Sequence, residues 1–256
     1  MKILIGTGDS WTQGQGGVPQ RFFDEWGGRV DKPAHEAEPA LLSYELENSW
    51  VNVLCRDYMP EYKPYNLGIR GIGNRGAVKQ LYYADIPWQE VTDGWLIFML
   101  SGRARFDMLG KHFHNGRNKY DTLHPNKNQV KYNFYFEHFY SKHYESQETM
   151  LNILEAQTFA KAHNLKFVFA YSFDNCHDLS KDTTFNLSSK IDWSKCINPD
   201  STYFKVLAGL DGMKDNYGDY FSLPQPLKHV TNCVHPTIEG YKVIAKDIYE
   251  KLKAYR

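Results

Sequence analysis

Residues 2–12, KILIGTGDSWT, run from a short apolar, β-branched segment straight into a Gly-x-Gly turn. Lys2–Ile5 reads as a strand bounded by turn residues, and similar runs occur at Tyr62–Leu67, Trp95–Leu100 and Leu165–Ala170. Segments of helical period separate and follow them: Ser49–Tyr58, Arg75–Tyr83, a long one within about Asn133–His163, and Thr237–Ala254. This β-α-β-α-β-α-β order with a final helix implies parallel strands joined by right-handed crossovers, hence an α/β protein built as a three-layer α/β/α sandwich. A chain of 256 residues suits one larger α/β domain, and no repeat or linker divides it, so residues 1–256 are expected to form a single domain. Three polar stretches interrupt the alternation, at about 14–42, 101–130 and 172–199. Loops of that length in a compact domain are usually functional lids or excursions.

Thirty basic and thirty acidic residues cancel, so no global field draws the chain to nucleic acid or to an anionic membrane surface. With 42% hydrophobic and 23% charged residues the composition excludes disorder and coiled coil, and no apolar run is long enough to span a bilayer. The first strand follows Met1 directly, without a signal peptide, which sets the expectation of a cytoplasmic protein, a virion component being the other location left open. Cys55, Cys176, Cys196 and Cys233 form no CxxC pair and read as free thiols, with a Cys176–Cys196 bridge as the competing reading. The aromatic content, 15%, is high. In Lys131–Tyr144 the rings of Tyr132, Tyr135, Phe136, Phe139 and Tyr140 recur at three- and four-residue spacing, which reads as a buried helix face against the alternative of a sugar-stacking platform.

In a doubly wound sheet the loop after the first strand opens into the binding crevice. As a dinucleotide fingerprint this loop fails, because Trp11 stands where GxGxxG requires its third glycine; as a phosphate loop it lacks GK[ST]. The remaining reading makes Ser10 a nucleophile on a tight strand-to-helix turn, its own N–H available to an oxyanion. Its base is sought among ten histidines, and His235 stands out in a loop just before the last helix. Cys233 offers a competing thiol nucleophile, but in an extended segment it lies roughly 6–7 Å along the chain from His235. His112, His114 and His124 lack carboxylates at ligand spacing, so no metal is assigned, and no cofactor.

Gly8-Asp9-Ser10-x-Thr12 after the first strand, Asn66-x-Gly68-x-x-Gly71 after the second, and His235-Pro236-x-x-x-Gly240-Tyr241 near the C-terminus resemble the SGNH (GDSL-type) hydrolases. The resemblance spans the whole chain in the right order. Ser49-Trp50, then Asn66-Leu67-Gly68, then Gly71-x-Gly73-Asn74 resembles the divergent members met in phages and environmental bacteria. It implies a flavodoxin-like three-layer fold, Ser10 as nucleophile, His235 as general base and then acid, and the Ser10 and Gly71 N–H groups as oxyanion donors. A glycine at 71 also suits close approach of backbone to substrate.

Two positions depart from the family. Its Gly-x-Asn-Asp block after the third strand is Leu100-Ser101-Gly102-Arg103-Ala104-Arg105 here, so Asn74 is the substitute amide donor. Arg103 or Arg105 either stabilises charge or binds an anionic substrate, the plainer reading being a salt bridge or carbonyl clamp beneath the lid; Asp9 is counted among the supporting residues. The family's Asp three residues before the histidine is Asn232, which can hold the wrong imidazole tautomer and supplies no charge. In the serine-protease template the same acid-to-amide change costs about 10⁴ in turnover. Weak activity, a carboxylate from Asp174, Asp178 or Asp211, or a dyad whose ring is oriented by a backbone carbonyl all remain open at this level. The implied activity is that of a serine esterase removing a small acyl group, acetyl first, from a carbohydrate or other polar alcohol. A catalytically degraded glycan-binding or virion domain and an acyltransferase are the alternatives; the oligomeric state is not read.

Overall fold

A computed structural model describes residues 1–25, 39–102, 105–114, 117–123, 130–138, 140–173, 177–181, 186–214 and 216–255. The strands are β1 (Lys2–Thr7), β2 (Lys63–Asn66), β3 (Asp93–Leu100), β4 (Phe106–His114), β5 (Arg117–Leu123) and β6 (Lys166–Tyr171). The α-helices are α1 (Ser10–Gln13), α2 (Gln20–Glu25), α3 (Pro39–Asn48), α4 (Trp50–Tyr58), α5 (Asn74–Tyr83), α6 (Val130–His138), α7 (Lys142–Ala162), α8 (Tyr203–Leu210), α9 (Tyr217–Phe221) and α10 (Ile238–Leu252).

β2, β1, β3 and β6 lie side by side in that order, every pair parallel, as expected from the alternation of strands and helices. Two hydrophobic cores on opposite faces make this a three-layer α/β/α sandwich. Successive side chains of a strand point to opposite faces, and the central strands obey the rule strictly. Trp95, Ile97 and Met99 of β3, with Leu4, Val168 and Ala170, pack against α4, α8 and α10. Leu96, Phe98 and Leu100, with Ile3, Ile5, Phe167 and Phe169, pack against α5 and α7. β2 is a half-exposed edge strand, and it tolerates Pro64 there because an edge leaves one row of N–H groups unpaired. The other edge, β6, is covered in part: Ile197 donates to the Phe169 carbonyl, and the Asn198 side chain pairs with both main-chain groups of Tyr171.

Several sequence expectations need correction. The long helix within 133–163 is two helices, broken where Ser141 caps α7 by accepting the Tyr144 N–H. Of the rings expected on one buried face, Tyr135, Phe136 and Tyr140 are half-buried, and the side chains of Tyr132 and Phe139 lie outside the described residues. The stretch 101–130 is not a plain loop, since β4 and β5 pair as an antiparallel hairpin. The stretch 14–42 contains α2 and the start of α3, and 172–199 contains three short 3-10 turns. Helix α8 was not read at all, because an eight-residue apolar run carries too little periodicity. Cys196 is a free thiol rather than half of a bridge; Cys176 lies outside the described residues. Burial pushes the Cys55 thiol up to about 12 and that of Cys196 up to about 11, so neither is reactive near neutrality. Among the described residues no helix is long and apolar enough to cross a membrane.

Trp50, the first residue of α4, is fully buried, and its ring packs so closely on β1 that a Cβ added at Gly6 would lie 2.9 Å from it. Trp50→Ala is therefore expected to lower unfolding stability by about 3–5 kcal/mol, read from the shift of the urea midpoint.

Candidate active site

β1 delivers the chain to Gly8-Asp9, after which α1 makes a single turn. Asp9 caps that turn, its Oδ1 accepting the Trp11 N–H at 3.0 Å, and so fixes Ser10 at the first helical position beside the carboxyl ends of β1 and β3. In a sheet of this strand order the crevice opens at this point.

His235 reaches the same place from the far end of the chain. Its Nε2 stands 2.8 Å from Ser10 Oγ. The loop that holds it is closed by Thr231, whose N–H donates to the His235 carbonyl and whose Oγ1 accepts the His235 N–H. Val234 adopts φ 62°, a left-handed conformation that a β-branched residue takes only at a cost of about 1–3 kcal/mol. In that strained turn the carbonyl of Cys233 accepts from His235 Nδ1 at 2.8 Å. A carbonyl oxygen can only accept, so the hydrogen of the neutral ring resides on Nδ1, and Nε2 presents its lone pair to the serine hydroxyl.

The loop following β2 is zipped against the serine turn. Leu67 and Ile69 donate to the carbonyls of Gly6 and Gly8, and the Arg70 N–H to the side chain of Gln13. Asn66 donates to the Thr12 carbonyl and to Ser49. Gly68 is required by contact, since a Cβ there would lie 2.2 Å from the Gln13 nitrogen. Gly71 is required by conformation, at φ 72°. Among the described residues no acceptor takes the N–H of Ser10 or of Gly71. A buried ion pair between Arg70 and Glu45 anchors the loop to α3, and burial holds the Glu45 carboxyl above its usual range against the lowering pull of Arg70.

The third loop, after β3, closes the network. Ser101 Oγ donates to Asp9 Oδ2 at 2.9 Å, and Arg105 Nη1 donates to the same oxygen at 2.7 Å. The Arg105 guanidinium also lies over the Phe173 ring, 5.1 Å from its centroid. Asn74 accepts the Ser101 N–H at 2.7 Å and donates to the Ser101 carbonyl at 3.4 Å. Asp107, at the base of the hairpin, accepts the N–H groups of Gly73 and Gly76 and so caps α5 with a negative charge.

The structure thus brings together Ser10, His235, Asp9, Gly71, Asn74 and Arg105, while Arg103 lies outside the described residues. Asn232 faces away from the histidine, donating to the Leu223 carbonyl at 3.3 Å. Asp211 is committed to His229, whose Nδ1 it meets at 2.7 Å, and Asp178 lies on a separate 3-10 turn, His177–Lys181. Asp174 lies outside the described residues. Cys233 contributes through its main chain, while its thiol is buried against Thr231 Oγ1. His112 and His114 fall on β4, and His124 lies outside the described residues; among the described residues no cluster of three His, Cys, Asp or Glu groups is disposed for a metal ion. Sequence reasoning missed Ser101 and Asp107, whose roles depend on contacts between separate loops. The closest available signal was the run of polar residues immediately after β3.

Burial is the largest influence on His235 and pushes its pKa down to about 4, with Arg70 and Arg105 acting in the same direction; Asp9 and the Cys233 carbonyl oppose them. The imidazole is neutral at pH 7 and can accept a proton from Ser10.

No protein-family profile and no curated protein matches the sequence. Among solved structures the chain is similar to a member of the lipolytic protein G-D-S-L family from Veillonella parvula DSM 2008, at 13% identity over 98% of this chain and 97% of that one, with a TM-score of 0.39.

In an NMR titration His235 is expected to take up its proton below the ordinary imidazole value of about 6.5, toward about 4. Asp9→Asn should lower that midpoint and Arg105→Gln raise it; equal midpoints in all three proteins would show that these charges do not reach the ring. The unfolded imidazole protonates near 6.5 and the folded one only near 4, so the unfolded state binds more protons between them. This contribution to stability is complete above pH 6.5 and is lost as pH falls through that window.

Proposed function

We propose that the chain is a serine-dependent carboxylic-ester hydrolase of the SGNH type that removes a small acyl group, acetyl first, from a polar alcohol of the carbohydrate class. The observation that carries this reading is the 2.8 Å contact between Ser10 Oγ and a His235 Nε2 whose tautomer is set by the Cys233 carbonyl. Ser10 Oγ attacks the ester carbonyl as His235 takes its proton, and the C=O π electrons pass to the oxyanion. The N–H groups of Ser10 and Gly71 receive that charge, with the Asn74 hydrogen not directed at Ser101 as third donor. Collapse of the tetrahedral intermediate breaks the C–O bond to the leaving alcohol, which takes the proton from His235. Water then repeats the sequence on the acyl-enzyme, with His235 again as base, and frees the acid. The chemistry uses no metal or cofactor.

The imidazolium formed in each half-reaction lacks the carboxylate that the serine-protease template places on Nδ1. In this reading the Cys233 carbonyl supplies direction and Asp9, one residue from the nucleophile, supplies negative charge that raises the proton affinity of the ring. Arg105 moderates that charge. A neutral acceptor on Nδ1 is also the observation that favours the alternative of a glycan-binding or virion component without turnover. Covalent labelling of Ser10 by a sulfonyl fluoride separates the two, since a binding module leaves the serine unmodified.

Hydrolysis of p-nitrophenyl acetate is expected, with a loss of about 10³-fold or more in Ser10→Ala and in His235→Ala. Activity that survives Ser10→Ala would sink the assignment. Asn232→Ala should fall far short of the roughly 10⁴-fold loss that a ring-orienting acid produces in the protease template.

A further inference from the structure

Asp211 closes α8, where its N–H donates to the carbonyls of Leu207 and Ala208. Its side chain is 3% exposed, so the charge must be held by protein donors rather than by water. Those donors lie on the segment that leads to His235. The His229 N–H is 3.2 Å from both carboxylate oxygens, the Val230 N–H is 3.1 Å from Oδ2, and His229 Nδ1 is 2.7 Å from Oδ1. A carboxylate only accepts, so the His229 imidazole donates from Nδ1. Among the described residues the N–H groups of His229 and Val230 have no other acceptor.

The same segment is one side of a narrow antiparallel loop. Val230 bridges to Pro236, the Thr237 N–H donates to the His229 carbonyl at 3.0 Å, and the Thr231 N–H donates to the His235 carbonyl at 2.8 Å. These bonds use the inner edge of residues 229–231. The outer edge, which in a sheet would pair with a further strand, is met by the Asp211 carboxylate. From the other side the first turn of α10 presses on it: a Cβ at Gly240 would lie 2.2 Å from the His229 carbonyl oxygen. Cys233, whose carbonyl orients the His235 ring, is four residues further on in this closed loop. A shift at 229–230 is therefore passed to that carbonyl. The charges that act on the ring are those of Asp9, Arg70 and Arg105, so Asp211 reaches it through the chain rather than through space.

We propose that Asp211, together with His229, is the positioning pair of the catalytic base: it anchors the outer edge of the loop and thereby sets the direction of the Cys233 carbonyl and of the His235 ring. The proposal rests on the hydrolase reading given above. It assigns an acid to the support of the base, one step removed from the ring, in a chain that carries Asn232 three residues before His235.

The test uses Asp211→Ala, which removes the acceptor, and the isosteric Asp211→Asn, whose amide can accept on one side only. Two quantities are read: steady-state kinetics on p-nitrophenyl acetate, and the ¹⁵N–¹H signal of His235 Nδ1 in ring-labelled protein, assigned by its loss in His235→Ala. Thermal melting shows which variants are folded. In Asp211→Ala kcat is expected to fall roughly tenfold to hundredfold, as for a misplaced catalytic group, with KM within about twofold of the parent value. Asp211→Asn is expected to lose less, and in both variants the Nδ1 signal moves or is lost to exchange. Tyr203→Phe, on the same helix, removes the bond from Tyr203 to Asp247 at 2.9 Å and is expected to change neither quantity. An unmoved Nδ1 signal in a folded Asp211 variant overturns the proposal whatever kcat does. So does a moved signal with parental kcat, or an equal loss in Tyr203→Phe. If the parent protein shows no Ser10-dependent hydrolysis, the signal alone decides: movement in the Asp211 variants upholds the positioning pair while the hydrolase reading falls.

Discussion

The carboxylate of Asp9 has no exposed surface, and the geometry around Ser10 depends on it. A buried charge is tolerated only when it is paired and hydrogen-bonded, and Asp9 finds partners on two other segments. One oxygen caps the turn that carries the nucleophile; the other receives Ser101 from the end of β3 and Arg105 from the start of the hairpin. Because breaking a buried pair leaves an uncompensated charge, at a cost of about 3–5 kcal/mol, these loops cannot drift apart independently. The serine turn, the β3 terminus and the hairpin base therefore behave as one unit.

His235 is held by a different device. Its direction comes from a main-chain carbonyl, which provides a dipole rather than a charge and fixes the tautomer unambiguously. The strained φ of Val234 accompanies that carbonyl, in a loop that Thr231 fastens from both its main chain and its hydroxyl. Strain of this kind persists only where the surroundings over-determine the conformation, and Val234 is itself buried in the core beneath α10. A buried imidazole with a depressed pKa is a weaker base than a free one, but it is deprotonated across the whole neutral range. The nearby Asp9 charge partly restores its proton affinity.

The fold was legible because its signals are local. Trp95–Leu100 is apolar at every position since β3 is buried on both faces, and the helical segment read from Ser49 is α4, with Ser49 as its N-cap. The pairing of Ser10 with His235 could be anticipated only from motifs, as 225 positions separate them. The group that orients the histidine could not be read: a backbone carbonyl leaves no side-chain signature, and its direction depends on the φ of the next residue. Asn232 occupies the position where the resemblance led one to expect an acid, yet its amide donates to the Leu223 carbonyl instead. The hairpin was hidden because charged, histidine and glycine residues interrupt its alternation, although Asn115-Gly116 between β4 and β5 is a strong hairpin signal.

The hairpin also alters what its polar composition suggested. A polar stretch of that length reads as a functional lid or an excursion from the sandwich. Its base, however, supplies both Arg105 and Asp107. Asp107 satisfies two N–H groups at the start of α5, an end that has no side-chain cap from Gly73, and α5 in turn carries Asn74, which grips the end of β3. The N-terminus of a helix must find acceptors for its first N–H groups, and here the acceptor comes from the insertion. The stretch from Gly71 to Asn74 is therefore held on one side by the sandwich and on the other by the hairpin. The inserted segment is part of the framework around Ser10, and the residues that tie it there, half-buried Arg105 and buried Asp107, stand at the start of its first strand.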